Sequence, residues 1–143
     1  MNFDGSDILV VETATLPIRS SEEIVQVRQF LRQKAVEQGL SLIDQTKFVT
    51  AASELARNTL IYGGGGEMRC LSVQRDRRRG IRLEFVDHGP GIADIKQALT
   101  DGFTSGGGMG LGLGGAKRLS DEFDIRSTPG EVTYIAITKW KAF

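Results

Sequence analysis

The chain has 143 residues, of which 40% are apolar and 25% charged, a composition that suits one globular domain and is too apolar for a disordered chain. Its 18 basic and 18 acidic residues cancel, so there is no net positive charge to attract nucleic acid or an anionic membrane. Cys70 is the only cysteine, which excludes an intramolecular disulfide and a cysteine-based metal cluster and suits a reducing cytoplasm. No segment approaches the ~20 apolar residues of a membrane helix. We therefore expect a single cytoplasmic domain over residues 1–143, with no nucleic-acid or membrane partner.

The pattern of branched residues, helix caps and glycines predicts a sheet with helices on one face. The predicted elements are, in chain order, short strands at Ile8–Glu12 and Leu16–Arg19, helices from Ser20 to Gly39 and from Ser41 to Gly63, a hairpin of Met68–Arg75 and Ile81–Val86 joined by the basic turn Asp76–Gly80, a short helix at Ala93–Leu99, a helix through Ala116, Leu119 and Ser120, and a final hairpin of Phe123–Ser127 and Val132–Trp140.

The second predicted helix carries Glu54 and Asn58 four residues apart, which places both side chains on one helix face. Their oxygens suit a hard cation such as Mg²⁺, whose other ligands come from substrate phosphates, and Glu54 would also suit a general base. From the spacing alone, an exposed polar helix face is the more common explanation. The run Gly63–Gly66 then indicates either a flexible surface turn or a backbone that turns sharply or lies close to another group.

A second motif runs from Asp87 to Gly91, directly after a predicted strand. Gly89 and Gly91 allow a turn and remove side chains that would keep a flat ligand away from the backbone. Asp87 would then accept a hydrogen bond from an exocyclic amine such as that of adenine, although an Asx turn explains this segment as well. His88, the only histidine, is expected to be a partly exposed turn residue.

The strongest motif is the glycine-rich segment Gly106–Gly115, which leads into a helix. Consecutive amides without Cβ atoms at a helix N-terminus bind phosphate, because the free donors and the helix dipole both favour an anion. Low-complexity flexibility is the alternative. Leu111 and Leu113 alternate with glycine and lead into an apolar helix, which favours a phosphate site.

Three other phosphate-binding patterns fit less well. The spacing of Gly110, Gly112 and Gly115 matches a dinucleotide fingerprint, but polar loop precedes it where a buried strand is required. A Walker A loop needs Gly-Lys-Ser/Thr, and the residues around Lys117 do not provide it. The chain is too short for a eukaryotic-type protein kinase and lacks its Asp-Phe-Gly triplet.

Together, the three motifs resemble the ATP-binding boxes of the GHKL superfamily of gyrase, heat-shock chaperone, histidine kinase and MutL. More narrowly, nearly the whole chain is similar to the stand-alone bacterial switch kinases of the RsbT type, relatives of anti-sigma factor kinases. The stretches 16–22, 52–66 and 138–141 carry this resemblance. It implies a two-layer α/β sandwich of the GHKL (histidine-kinase-like ATPase) type, with a mixed sheet covered by helices on one face.

The resemblance also implies ATP and Mg²⁺ as cofactors and assigns roles at the first two motifs. Asn58 would hold Mg²⁺, and Glu54 would activate the attacking hydroxyl. Asp87 would bind the adenine amine, in the box that Gly89 and Gly91 complete.

The remaining implied roles fall on the glycine-rich segment and the last hairpin. The phosphates would be lined by Gly108, Gly110 and Gly112. The helix that carries these glycines would be packed by Leu111 and Leu113. Thr133 would add a contact on the adenine side, although residues 130–133 depart from the Gly-Thr/Ser-Thr motif usual in the family. The segment that matches the nucleotide lid looks short, which suggests that substrate access depends on a partner protein.

The implied activity is transfer of the ATP γ-phosphate to a Ser or Thr of a STAS-domain antagonist in a partner-switching, stressosome-like system. The released kinase would bind another partner, either a PP2C-type phosphatase or a sigma factor. A histidine-kinase fragment is disfavoured, because neither long helix carries a histidine. An ATP-gated clamp that sequesters a partner without phosphate transfer is the main alternative, and a glycine-rich structural domain without nucleotide would require three motifs to coincide. The sequence leaves a homodimer open.

Overall fold

The computed structural model describes residues 8–89, 112–128 and 132–142. Its elements are, in chain order, strand β1 (Ile8–Ile18), helices α1 (Ser21–Glu37) and α2 (Leu42–Ile61), strands β2 (Gly66–Arg75) and β3 (Arg78–Asp87), helix α3 (Gly112–Arg118), and strands β4 (Glu122–Thr128) and β5 (Val132–Trp140). The predicted helix Ala93–Leu99 lies outside the described residues. Within these three ranges, no helix combines the length and apolar character that crossing a bilayer requires.

The first two predicted strands are one continuous strand. β1 pairs with β2 over its whole length, and the register shifts between Val10 and Glu12, so that Val11 is an extra, exposed residue. This β-bulge moves the apolar residues from one face of the sheet to the other. The intervening Thr13 and Thr15 are β-branched and suit a strand, so they close the gap between the two predicted strands.

The five strands form one sheet in the order β1-β2-β3-β5-β4. The four pairings between these strands are all antiparallel, which corrects the mixed sheet that the resemblance implied. The reason for the β1–β2 direction lies in α1 and α2, which pack as a pair and return the chain to the end of β1. β2 consequently starts with Gly66 paired to Ile18 and runs back along β1.

The helices cover one face of the sheet, so the predicted α/β sandwich is confirmed. Alternate residues of β3 enter the main core, where they meet side chains from α1, α2 and α3. Residues on the opposite face include Arg82, Glu84 and a small apolar cluster of Ile8, Leu71, Val73 and Trp140. The core is therefore built mainly between the helical layer and one side of the sheet.

Both long helices begin at the predicted caps. The Ser20 Oγ accepts a hydrogen bond from Glu23 N at 3.2 Å, and the Ser41 Oγ accepts one from Asp44 N at 3.1 Å. α1 ends at Glu37, and Gly39, two residues later, has a φ of +79° that suits glycine. α3 ends at Arg118, slightly before the predicted Leu119 and Ser120, and the hairpin turn after β2 is tighter than predicted, since β3 already begins at Arg78.

A buried lysine ties α2 to the far end of β5. Lys139, 7% exposed, places its Nζ 3.2 Å from Asp121 Oδ1 and 3.5 Å from Asp44 Oδ1. We expect Lys139→Met to lower the free energy of unfolding by about 1–3 kcal/mol, because two partly buried carboxylates then lose their cation. This corresponds to about 3 °C per kcal/mol in a thermal melt, whereas Lys47→Met, on the exposed side of α2, should leave the melting temperature unchanged. Equal melting temperatures for the two variants would contradict the assignment.

Candidate active site

One end of the sheet carries a row of residues in register across four strands. Gly66 of β2 pairs with Asp87 of β3, Asp87 with Thr133 of β5, and Thr133 with Ser127 of β4. By strand alternation, the side chains of Asp87, Thr133 and Ser127 lie on the face that the helices cover. Asp87 and Thr133 are 7% and 5% exposed, and the Thr133 and Ser127 hydroxyl oxygens are 3.2 Å apart. The row is a polar floor beneath the end of α2, buried at Asp87 and Thr133.

Asp87 provides the only carboxylate of this row. Its Oδ1 accepts a hydrogen bond from Gly89 N at 2.9 Å, which is the Asx turn considered from the sequence. Within the described residues its Oδ2 has no hydrogen-bond partner, so one acceptor remains for a ligand donor. Burial raises the pKa of Asp87 above its usual range, and the bond from Gly89 opposes part of that rise. The Asx turn and the amine-binding role are therefore compatible.

The four-glycine run after α2 contains both features that its sequence indicates. Gly64 and Gly65 have φ values of +72° and +102°, so they make the sharp turn. A Cβ on Gly66 would lie 2.1 Å from the carbonyl oxygen of Val86, and one on Gly63 would lie 2.3 Å from Asp87 Cγ. The turn is thus tightly packed against the end of β3 and does not form a loose surface loop.

Helix α2 brings Asn58 to the same end of the sheet, with Glu54 one turn earlier. Both side chains are half-buried, and neither makes a hydrogen bond or ion pair within the described residues. The Asn58 carbonyl accepts hydrogen bonds from Tyr62 N at 3.0 Å and Gly63 N at 3.2 Å, so Asn58 leads directly into the turn that packs on Asp87.

These side chains fit the implied ligands. An amide and a carboxylate oxygen on one helix face suit Mg²⁺ when phosphate oxygens and water complete its coordination. No group of three or more His, Cys, Asp or Glu residues gathers anywhere in the described ranges. A Mg²⁺ ion here would therefore need phosphate oxygens and water among its ligands. The Oδ2 of Asp87, which has no partner among residues 8–89, 112–128 and 132–142, suits an adenine amine.

Helix α3 packs against α2, and its small residues allow a close approach. Gly112 begins the helix with a φ of +66°, and Leu113 is buried in the main core, as the resemblance implied. Gly114 and Gly115 are also buried. The other predicted residues of the glycine motifs, Gly91, Gly108, Gly110 and Leu111, lie outside the described residues.

Three residues around this site were not predicted from the sequence as site residues. Thr59 is 3% exposed, and its methyl group would lie 2.9 Å from a Cβ on Gly66. Ser127 contacts Thr133, a pairing visible only in the strand register. Gly63 contacts Asp87, and the glycine run itself was the signal that could have identified it. His88 is exposed, as predicted.

Residues 43–142 match the family of histidine kinase-, DNA gyrase B- and HSP90-like ATPases. The chain belongs to this family. It is 43% identical over 123 residues to the serine/threonine-protein kinase RsbT of Bacillus subtilis, covering 86% of this chain and 92% of that protein. It is also 30% identical over 95 residues to the anti-sigma F factor of Thermoanaerobacter sp. (strain X514), covering 64% of this chain and 66% of that protein. This family member is therefore a homologue of a serine/threonine-protein kinase, and its ATPase domain implies ATP binding.

A solved structure shares the fold. The crystal structure of the RsbU and RsbW domains of a Mycobacterium tuberculosis protein matches with a TM-score of 0.61 and 18% identity, covering 92% of this chain and 34% of that chain. The present chain thus spans about a third of that protein segment. At this identity the match supports the antiparallel five-stranded sheet and its helical layer, and says nothing further about activity.

Proposed function

We propose that this chain is an ATP-dependent protein serine/threonine kinase of a bacterial, cytoplasmic partner-switching system of the stressosome type. Its substrate is a Ser or Thr of a STAS-domain antagonist, and the released kinase binds a second partner, a PP2C-type phosphatase or a sigma factor. The observation that carries the proposal is the largely buried Asp87, whose Oδ2 has no hydrogen-bond partner within the described residues and which packs on Gly63, a residue hydrogen-bonded to the Asn58 carbonyl. The 43% identity to RsbT supports the kinase activity.

The proposal assigns a role to several of the predicted site residues that the structure describes. Asp87 accepts a hydrogen bond from the adenine amine, and Thr133, its partner across β5, contributes a hydroxyl beside it. Asn58 holds Mg²⁺ through its amide oxygen, and the metal supplies charge neutralisation at the phosphates. Gly112 and Leu113 continue the phosphate-binding segment proposed for Gly108 and Gly110.

The transfer itself needs positioning and one base. The acceptor hydroxyl oxygen forms a bond to the γ-phosphorus, the bond between that phosphorus and the β–γ bridging oxygen breaks, and ADP leaves. Glu54 takes the hydroxyl proton on its carboxylate. Because Glu54 lies one helical turn before Asn58 on the same face, it can serve a hydroxyl next to the phosphates that Asn58 organises through the metal.

Asn58→Ala is expected to abolish the Mg²⁺ dependence of ATP binding and to lower phosphate transfer at least about 100-fold, because the metal loses its protein ligand. Titration with ATP at increasing Mg²⁺ would measure this, with circular dichroism to confirm folding. Thr50→Ala, on the exposed side of α2, is the matched control and should titrate like the wild type. Unchanged Mg²⁺ dependence in Asn58→Ala would remove the assigned metal ligand.

The direct test of the function is transfer of labelled γ-phosphate from Mg-ATP to purified STAS proteins encoded near the gene of this chain. The expected result is stoichiometric label on one STAS protein, located on Ser or Thr by mass spectrometry. Absence of both ATP binding and transfer would reject the proposal.

ATP binding without transfer would instead support a nucleotide-gated clamp that holds a partner. The 30% identity to an anti-sigma F factor keeps this second function open. A pull-down of candidate sigma factors with and without Mg-ATP would then identify what the clamp holds.

A further inference from the structure

At the proposed adenine site, Gly63 packs directly against the Asp87 side chain. A Cβ built on Gly63 would lie 2.3 Å from Asp87 Cγ, 2.6 Å from Asp87 Cβ and 2.7 Å from Asp87 Oδ1. The Cβ of Asp87 is fixed by the backbone at the end of β3, so rotating the carboxylate cannot relieve this overlap. A side chain at position 63 must therefore move either the turn or the end of the strand.

A second glycine closes the contact from the other side. A Cβ on Gly89 would lie 2.7 Å from Gly63 Cα and 3.0 Å from the carbonyl oxygens of Gly63 and Tyr62. Gly89 also donates its N–H to Asp87 Oδ1 at 2.9 Å. The carboxylate is thus held between two glycine backbones that also contact each other, which leaves the turn little room to shift.

The same glycine is joined to the helix that carries the proposed metal ligand. Gly63 N donates a hydrogen bond to the Asn58 carbonyl at 3.2 Å. Gly63 therefore connects the end of α2, where Asn58 lies, to the end of β3, where Asp87 lies. Neither φ strain nor a turn requires glycine here, since the positive φ values of this run fall on Gly64 and Gly65.

We propose that Gly63 is a positioning and specificity-determining residue, which acts through Asp87 to set the enzyme's preference for adenine and to keep the base site in register with Asn58. This inference rests on the proposed function, because it assumes that Asp87 contacts the base. Nucleotides with an oxygen in place of the adenine amine, such as GTP, should depend little on Gly63.

The test is Gly63→Ala, with ATP and GTP affinities measured by calorimetric titration in Mg²⁺. We expect ATP affinity to fall at least about tenfold, the loss of one charge-assisted hydrogen bond, while GTP affinity changes little, so that the ATP-to-GTP ratio moves toward one. Gly64→Ala is the matched control: its φ of +72° makes alanine strained there, but its Cβ would meet no atom within 4 Å. It should lower the melting temperature and leave the ATP-to-GTP ratio unchanged.

A stability cycle separates action through Asp87 from a general effect on the turn. Gly63→Ala should lower the melting temperature strongly in the wild type and much less in an Asp87→Gly background, where all three overlapping side-chain atoms are gone. If Gly63→Ala does not fold, recovery of folding in the double variant supports the proposal. Failure of the double variant to fold while Asp87→Gly and Gly64→Ala both fold overturns it.

Failure of the inference and failure of the proposed function give different results. A wild type that does not bind ATP rejects the function and with it the specificity role. A wild type that binds ATP with a preference over GTP, while Gly63→Ala retains that preference, overturns only the inference. Equal losses of stability from Gly63→Ala in the wild-type and Asp87→Gly backgrounds, with an unchanged ratio of ATP to GTP affinity, would also overturn only the inference.

Discussion

Replacing Asp87 by asparagine is expected to abolish detectable ATP binding while leaving the unliganded protein at least as stable as the wild type. The amide oxygen can still accept the hydrogen bond that Gly89 N donates to Asp87 Oδ1. Its –NH₂ group then faces the adenine amine, donor against donor, and we expect ATP affinity to fall at least about 100-fold. Stability should not fall, because burial disfavours the charged form of this carboxyl, as its raised pKa indicates.

The stability difference between Asp87→Asn and the wild type should depend on pH. Since folding raises the pKa of Asp87, the wild type is penalised for ionising this carboxyl as pH rises through the folded pKa. The stability advantage of Asp87→Asn should thus be present at neutral pH and shrink as pH falls through that value. ATP affinity of the wild type should weaken over the same interval, because a bound amine favours the carboxylate.

Calorimetric titration and thermal melts at a series of pH values between 4 and 8 would measure both effects. Asp76→Asn makes the same chemical change at the exposed turn at the other end of β3, where the φ of +56° also suits asparagine. It should change neither ATP affinity nor its pH dependence. Full ATP affinity in Asp87→Asn would show that the base is recognised elsewhere.

Glu54→Gln is expected to remove phosphate transfer while ATP binding persists. Glutamine keeps the size of the side chain but cannot take the proton of the attacking hydroxyl, so we expect the rate of transfer to fall about 10²–10⁴-fold. The dissociation constant for Mg-ATP should change by less than about threefold, because the carboxylate acts on the acceptor and not on the nucleotide.

Single-turnover transfer to the STAS substrate, with binding measured in parallel, distinguishes this role from a structural one. Glu37→Gln is the control, since Glu37 lies exposed on α1, where it pairs with Lys34 at 3.5 Å. Transfer at the wild-type rate by Glu54→Gln would leave the proton to another base or to water. Parallel losses of binding and transfer would instead place Glu54 in the nucleotide site.

Local patterns in the sequence were sufficient for most of the secondary structure. The serine caps, the apolar spacing and Gly39 predicted α1 and α2, because capping and periodicity act over only a few residues. The strands predicted at Ile8–Glu12 and Leu16–Arg19 were confirmed, but Thr13–Thr15 joins them into one strand, because a strand with a β-bulge at Val11 becomes continuous only when β2 is present as a partner. The mixed sheet was wrong for a related reason: strand direction depends on where α1 and α2 return the chain.

The residues of the candidate site could also be predicted in part from local sequence patterns. Apart from Thr133, the residues proposed to contact ATP stand in three short motifs, because each needs a particular side chain, or none, next to a turn or helix end. The sequence by itself therefore determined the family resemblance and the roles proposed for Glu54, Asn58 and Asp87.

Only the tertiary structure decided how these motifs meet. Thr133 and Ser127 join Asp87 through strand register, a relation between segments about 40 residues apart in the chain. The packing of Gly63 on Asp87 joins the end of a helix to the end of a strand. Such contacts depend on atoms approaching to within a few ångströms across the fold, and no short-range pattern in the sequence contains that distance.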